Sequence, residues 1–414
     1  MTKRAWLYWM IPIALLLLQV VKTLLKAGNI PHAYFWGNLC NAMQFLVFLV
    51  GAGYVLVRWF RPEYTDRKAV IRVVITVILM VCGGELLFSH WLQVPAKIPR
   101  FLRSAFIYYN DHNNTRLLQF QRDGSQYDSG LFYTLKPQAS FSFNNAEFRT
   151  SYSTNSAGLR DDSASLEYPE VICLGDSYTM GWGVEQEESF PQQLEKQLGK
   201  KVLNAGVSSY GTARELLLLQ RLKLDSLKYL VIQYCDNDYG ENKSFLEHQG
   251  KLPISSPAVY DSLVAEQEWT LRYFPGKHFL LTAPLILKKI TNLFYPIFDL
   301  SQQRDALQVP ANHTTAFYRV LARALPRNHR YRVIVLYMDS ADRSRSGSHE
   351  LAMDSKGLVA AMDSTGLEII PFEYGNLNPA SDYYRLDLHL TPSGNRKMGE
   401  WLNEVITNYP EPRR

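Results

Sequence analysis

Cysteine is scarce in this chain, and so are the spacings that bind metals. Its 414 residues hold four cysteines and nine histidines, with no C-x-x-C, no H-E-x-x-H and no zinc-type Cys/His spacing. Neither a structural zinc nor a metal hydrolase is expected, so the reading calls for no metal and no other cofactor. Also missing are G-x-x-x-x-G-K and a G-x-G-x-x-G behind a strand, the usual phosphate cradles of nucleotide-binding proteins. Acids are nearly absent from the first quarter, where Glu63, Asp66 and Glu85 stand against twelve Lys and Arg. That balance of +9, within a chain of net +5, leaves about −4 for everything after residue 103. The basic excess therefore flanks apolar segments rather than forming a nucleic-acid surface, and no nucleic-acid partner is expected.

What the first quarter has instead is three apolar stretches, near 6–25, 34–56 and 70–92. Each has about the ~20 residues a helix needs to cross a bilayer. The first has no small-residue cleavage site and more spans follow it, so it reads as an uncleaved anchor. Trp6, Trp9, Trp36, Trp59 and Trp91 near the span ends fit an interfacial belt. The Arg58–Arg72 cluster favours a cytoplasmic N-terminus, which puts the chain beyond residue 103 outside the cytoplasm. Glu85, an ionisable group within the third span, would flag a function, but it lies near the span end and reads as structural or interfacial.

Residues 104–160 read as a polar connector followed by a β-rich accessory segment, because Phe141, Phe143, Phe148 and Tyr152 alternate with small polar residues. From 161 to 414 short apolar strands (VICL, KVLNAG, YLVIQYC, YRVIVLYM and LEIIPF) alternate with helical segments. Thr212-Ala-Arg-Glu215 has the pattern of a capping box. Strands alternating with helices imply an α/β domain with a parallel sheet covered on both faces. An insertion near 243–331 interrupts it. Within the insertion, 278–300 is apolar but broken by Pro284 and Pro296, and fits a lid, a membrane-skimming helix or a packing helix.

In such sheets ligands bind beyond the carboxyl ends of the strands, and here those ends are polar. The first reads Gly175-Asp176-Ser177, the second Asn204-Ala205-Gly206 and the third Asp236-Asn237-Asp238; Asp387 and His389 precede the last helix. A serine hydrolase needs a nucleophile, a base, an acid that orients the base, and donors for the oxyanion. Ser177, His389 and Asp387 supply the first three. The Ser177 and Gly206 amides with the Asn237 side chain supply the donors.

These four blocks, in this order, resemble the SGNH or GDSL-type esterases and acyltransferases, and TNSAGLRDD with VLNAGVSSYGTARELLLL looks like a bacterial membrane-linked branch. The resemblance implies a flavodoxin-like, doubly wound parallel sheet carrying a catalytic Ser177–His389–Asp387 triad. Asp176 and Asp238 would brace turns. Arg160 and Asn155 are candidate substrate contacts. Two positions depart from the pattern. Asp387 and His389 are two apart where the family has three, with Leu386 at the usual acid position, so a backbone carbonyl could replace the acid. Cys235 stands where the third block usually has glycine.

The expected activity is a membrane-anchored serine esterase, acting outside the cytoplasm of a bacterial inner membrane on acetyl or other short-chain esters of an envelope or extracellular substrate. Its partners would be an acylated glycan or lipid ester and the bilayer. An O-acyltransferase fed by a membrane acyl-donor protein would use the same triad. A non-catalytic glycan-binding scaffold is the third reading.

Overall fold

The computed structural model describes residues 5–28, 30–294, 311–325, 331–338 and 377–408. The chain divides into two compact units, residues 1–115 with 262–299, and residues 116–261 with 300–414. The segment read from sequence as one insertion is thus shared between them.

The first unit rests on helices α1 (Ala5–Ala27), α2 (Ala33–Phe60) and α3 (Asp66–Gln93). At about 1.5 Å per residue each can cross a hydrocarbon core of ~30 Å, and each is apolar enough to do so. Leu16, Leu17 and Leu24 of α1 and Leu79 of α3 are exposed, as lipid-facing side chains are. Ala69, Val73 and Val77 of α3 pack with Tyr54 of α2. A Cβ at Gly51 would stand 2.8 Å from Ile11, so α1 and α2 meet through a small residue. The stretch after Leu102, expected as a plain connector, begins with helix α4 (Arg103–Asn113). Ala105, Phe106, Tyr109 and Asn113 are buried, a one-sided helical pattern that its polar composition hides.

The proline-broken apolar segment forms helix Lys277–Phe294 in this unit, packed on α2, α3 and α4. It is a packing helix; residues 295–300 lie outside those described. Glu85 explains how its start is held. The Oε2 atom accepts the Phe279 amide at 2.9 Å, so a buried carboxylate caps the positive end of a neighbouring helix. The adjacent His278 bonds Tyr109 at 2.6 Å.

The second unit opens with two antiparallel hairpins, β1 (Ser125–Asp128) with β2 (Phe132–Leu135), and β3 (Ser140–Asn145) with β4 (Phe148–Ser153). The period-2 pattern is realised: Phe141, Phe143 and Tyr152 are buried against Met180 and Trp182. Strands β5 (Val171–Gly175), β6 (Val202–Gly206), β7 (Tyr229–Cys235) and β8 (Arg332–Met338) then form a parallel sheet in the order β6-β5-β7-β8. Every residue of β5, β6 and β7 is buried, as two covered faces require. Val171, Cys173, Val202 and Val231 pack with Phe190, Leu194, Met398 and Leu402, which lie on helices Phe190–Leu198 and Pro392–Asn408. Tyr234 meets Phe317 of helix Ala311–Ala324. Cys173 and Cys235 are buried on the adjacent strands β5 and β7. The strand expected at 367–372 lies outside the described residues.

Because β5 lies between β6 and β7, the chain leaves it in one direction and returns on its other side. That makes the carboxyl end of β5 the switch point where a crevice opens. One local expectation fails near it. Helix Thr212–Leu219 has no capping box. The Asp238 Oδ2 atom takes both the Thr212 amide (3.2 Å) and its hydroxyl (2.7 Å), while Glu215 is turned inward and fully buried. A carboxylate from the end of β7 has displaced the local cap.

Candidate active site

The end of β5 is shaped by close approach. A Cβ at Gly175 would stand 2.0 Å from Thr179 Oγ1 and 2.5 Å from Gln233 Oε1, so only glycine fits. Asp176 then caps a single helical turn, Ser177–Met180, accepting the Tyr178 amide at 2.9 Å. Gly181 ends it at φ 81°, and the Trp182 amide returns to the Ser177 carbonyl at 2.9 Å. Ser177 is thereby set at the head of the turn.

Facing it is His389, with Nε2 2.7 Å from Ser177 Oγ and Nδ1 2.5 Å from Asp387 Oδ1. With the Nδ1 proton donated to Asp387, Nε2 is left to accept the serine hydroxyl. The two-residue spacing works because Leu388 takes φ 71°, a left-handed kink that turns both side chains toward each other. Leu386, at the position where the family pattern has its acid, is buried. The other Asp387 oxygen accepts Trp182 Nε1 at 3.1 Å, and the Trp182 ring stacks on His389 at 5.0 Å between centroids. Both carboxylate oxygens are therefore used, which fixes the ring they orient.

Asp176 and Asp238 brace the floor of the site. Burial pushes the Asp176 carboxyl above its ordinary range, opposed by the Tyr178 amide, by the charge of His389 and by the side chains of Asn237 and Gln233. Asp238 and Glu215 are raised further, first by burial, and then Asp238 by the charge of Asp176 and Glu215 by that of Asp238.

Three expected residues stand differently. Gly206 is buried, a Cβ there would stand 2.3 Å from the Met180 amide nitrogen, and its own amide donates to Asn204 Oδ1 at 3.1 Å. It is a close-packing glycine, with its donor already spent. Arg160 is fully buried, donating to the carbonyls of Met180 (3.2 Å), Gly181 (2.6 Å), Ser151 (3.1 Å) and Val184 (2.7 Å). It pins the accessory hairpin to the turn after Ser177 and is closed to substrate. Asn155 is also buried, its Oδ1 taking the Ala157 and Leu159 amides. Asn237 remains exposed beside Asp176.

Three further residues of this site went unread in the sequence. Ser209, exposed in the turn after β6, sits at φ 60°. The Val207 amide ties that turn to the Gly175 carbonyl at 3.0 Å. No acceptor takes the Ser209 amide among the described residues. The signal was the Ser-Ser-Tyr-Gly turn itself, since left-handed positions favour glycine and leave a non-glycine residue inconspicuous. Trp182 could have been suspected between its two glycines, whereas Glu147, whose carboxylate accepts the Asp387 amide at 2.9 Å, carried no local signal. Among the described residues no cluster of His, Cys, Asp and Glu could hold a metal ion.

No match was found among curated proteins. Among solved structures, the chain is similar to a protein from Desulfitobacterium hafniense DCB-2 assigned to the G-D-S-L family, at 12% identity and TM-score 0.28, over 57% of this chain and 98% of that one. It is also similar to the lipase Lip_vut3 from a goat rumen metagenome, at 16% identity and TM-score 0.28, over 57% and 96%. The model of the GDSL-like Lipase/Acylhydrolase family matches residues 173–397, more than half of the chain. With the end of β5, the Ser177 turn and His389 inside that match, the chain belongs to the GDSL-like lipase/acylhydrolase family and is a hydrolase acting on esters.

Proposed function

We propose that the protein is a membrane-anchored serine esterase that removes acetyl or other short-chain acyl groups from an envelope or extracellular substrate. The observation that carries this reading is one imidazole bridging a serine and a carboxylate, at 2.7 and 2.5 Å. Ser177 Oγ attacks the ester carbonyl as its proton passes to His389 Nε2, and Asp387 stabilises the imidazolium. The Ser177 and Ser209 amides with the Asn237 side chain serve the oxyanion. The alcohol leaves with the proton from His389, and water, activated by the same base, frees the acyl group from Ser177. The three apolar helices anchor the chain in a bacterial inner membrane, N-terminus inside, with the α/β unit in the periplasm.

A second reading is transfer of the acyl group to a sugar hydroxyl, favoured by the exposed apolar side chains of α1, which could dock a membrane acyl-donor protein. Added glycan acceptor would then raise transfer while hydrolysis falls. The first test is turnover of p-nitrophenyl acetate and labelling by a fluorophosphonate probe. The full chain is used because helix Lys277–Phe294 folds with the apolar helices. Ser177→Ala should abolish labelling and cut turnover by at least about a thousandfold. An unlabelled, folded wild type would overturn the esterase and leave a glycan-binding scaffold.

A further inference from the structure

The loop carrying Asp387 and His389 has a feature that the triad alone does not require. Tyr383 pairs with Leu390 in an antiparallel bridge, and the Tyr384 amide donates to the His389 carbonyl at 2.8 Å. Residues 385–388 are therefore a tight tip between two short paired ends. Within it the amides of Arg385, Leu386 and Asp387 all point at one carboxylate, that of Glu147. Glu147 Oε1 accepts Arg385 at 2.8 Å; Oε2 accepts Leu386 at 2.6 Å and Asp387 at 2.9 Å. Glu147 sits in the two-residue connection between β3 and β4, about 240 positions away in sequence.

Three successive amides converging on one anion is an arrangement that backbone adopts around a bound ligand. Here the chain supplies the anion itself. Charge-assisted bonds of this kind are stronger than neutral ones. They meet the loop on the residues that lead into the Leu388 kink, so they fix the direction in which Asp387 leaves the backbone. We propose that Glu147 is a positioning residue for the reaction, an internal anion that holds the 385–387 amides and so sets Asp387 against His389. The proposal rests on the triad reading given above. It also gives the accessory hairpin β3–β4 a role in catalysis: its aromatic face packs on the Ser177 turn while its tip holds the acid–base loop.

The test is made on full-length protein in detergent micelles, reading the fluorophosphonate labelling rate of Ser177, the kcat and KM for p-nitrophenyl acetate, and the Tm. Glu147→Gln keeps shape but points an amide NH₂ at backbone N–H groups. The loop must then shift, and kcat and the labelling rate should both fall about tenfold at unchanged KM. In an Asp387→Asn background the same substitution should lower neither any further, since both changes act through one side chain. If Glu147→Gln lowers Tm by so much that the comparison fails, Glu147→Asp, one methylene shorter, carries the same test with a smaller loss. Labelling and kcat equal to wild type in a folded Glu147 variant would overturn the proposal. So would a loss that simply adds to that of Asp387→Asn, the behaviour of a residue with only a structural role. A wild type that does not label would instead remove the triad reading on which the proposal stands.

Discussion

The bonds that trace the Ser177 turn itself are short in sequence, with Arg160 and Gln233 bracing it from outside, whereas those that set the Asp387–His389 loop are long. Asp176 caps the amide two residues on, and Gly181 closes the turn four residues after Ser177. The loop is held by Trp182, 205 positions away, by Tyr384 reaching the Gly183 carbonyl at 2.6 Å, and by Glu147. The difference separates what each region must do. A nucleophile turn needs one strained corner, which a few residues can encode locally. An acid–base pair needs a direction, and a six-residue loop without regular structure must borrow that rigidity from elsewhere. Trp182 joins the two regions, since its amide closes the serine turn and its indole holds the acid.

Removing the acid tests the loop side most strongly. Asp387→Asn preserves the loop's shape but no longer enforces the tautomer that leaves Nε2 basic. Turnover should fall by roughly 10²–10⁴-fold, with Ser177 still labelled slowly. A drop smaller than about threefold would mean that the backbone, rather than Asp387, orients His389. Trp182→Phe comes next. It keeps the ring stacked near His389 and deletes one hydrogen bond to a charged oxygen, worth about 1.5 kcal/mol or about tenfold. Steady-state kinetics should show that loss in kcat with KM unchanged. A KM effect instead would make Trp182 part of the substrate wall.

How far each region was legible follows from the same contrast. The parallel sheet was readable because β5, β6 and β7 are short, mostly apolar runs followed by glycine or polar residues. Ser177 was readable because Gly175 and Gly181 punctuate its turn. The hairpin β3–β4 was readable from its alternation, yet its purpose was not, since Glu147 looks like an ordinary turn residue until the loop it holds is folded against it. Arg160 misled for a similar reason. A cation near a site motif suggests a substrate contact, but its four acceptors are backbone carbonyls that no sequence pattern displays. Gly206 misled by being glycine, a residue that marks close approach as often as an open amide. The helix at Arg103–Asn113 was hidden by its polar composition, its apolar side being only a few residues wide.

A remote ion pair offers the control that sharpens the comparison, because it belongs to the same unit and to neither region. Arg221 makes a two-pronged contact with Asp128 at 2.8 and 2.9 Å. The guanidinium bonds pull the Asp128 carboxyl down to about 2 from its ordinary value, aided by the Gly130 and Leu131 amides. A carboxyl lowered by folding adds stability above its unfolded value near 3.8 and loses it as the pH falls toward about 2. Arg221 is exposed and Asp128 partly so, so solvent screens the pair and its net worth is on the order of 0.5 kcal/mol. Asp128→Asn should therefore lower Tm by a degree or two at pH 7, with the gap narrowing below pH 4 and closing toward about 2, and kcat unchanged at pH 7. Thermal unfolding across that range separates the cases: a gap that stays constant with pH would assign the stabilisation to the two amide bonds rather than to the charge. A change in kcat would mean that the first hairpin also bears on the site, and that long-range support extends beyond the loop carrying His389.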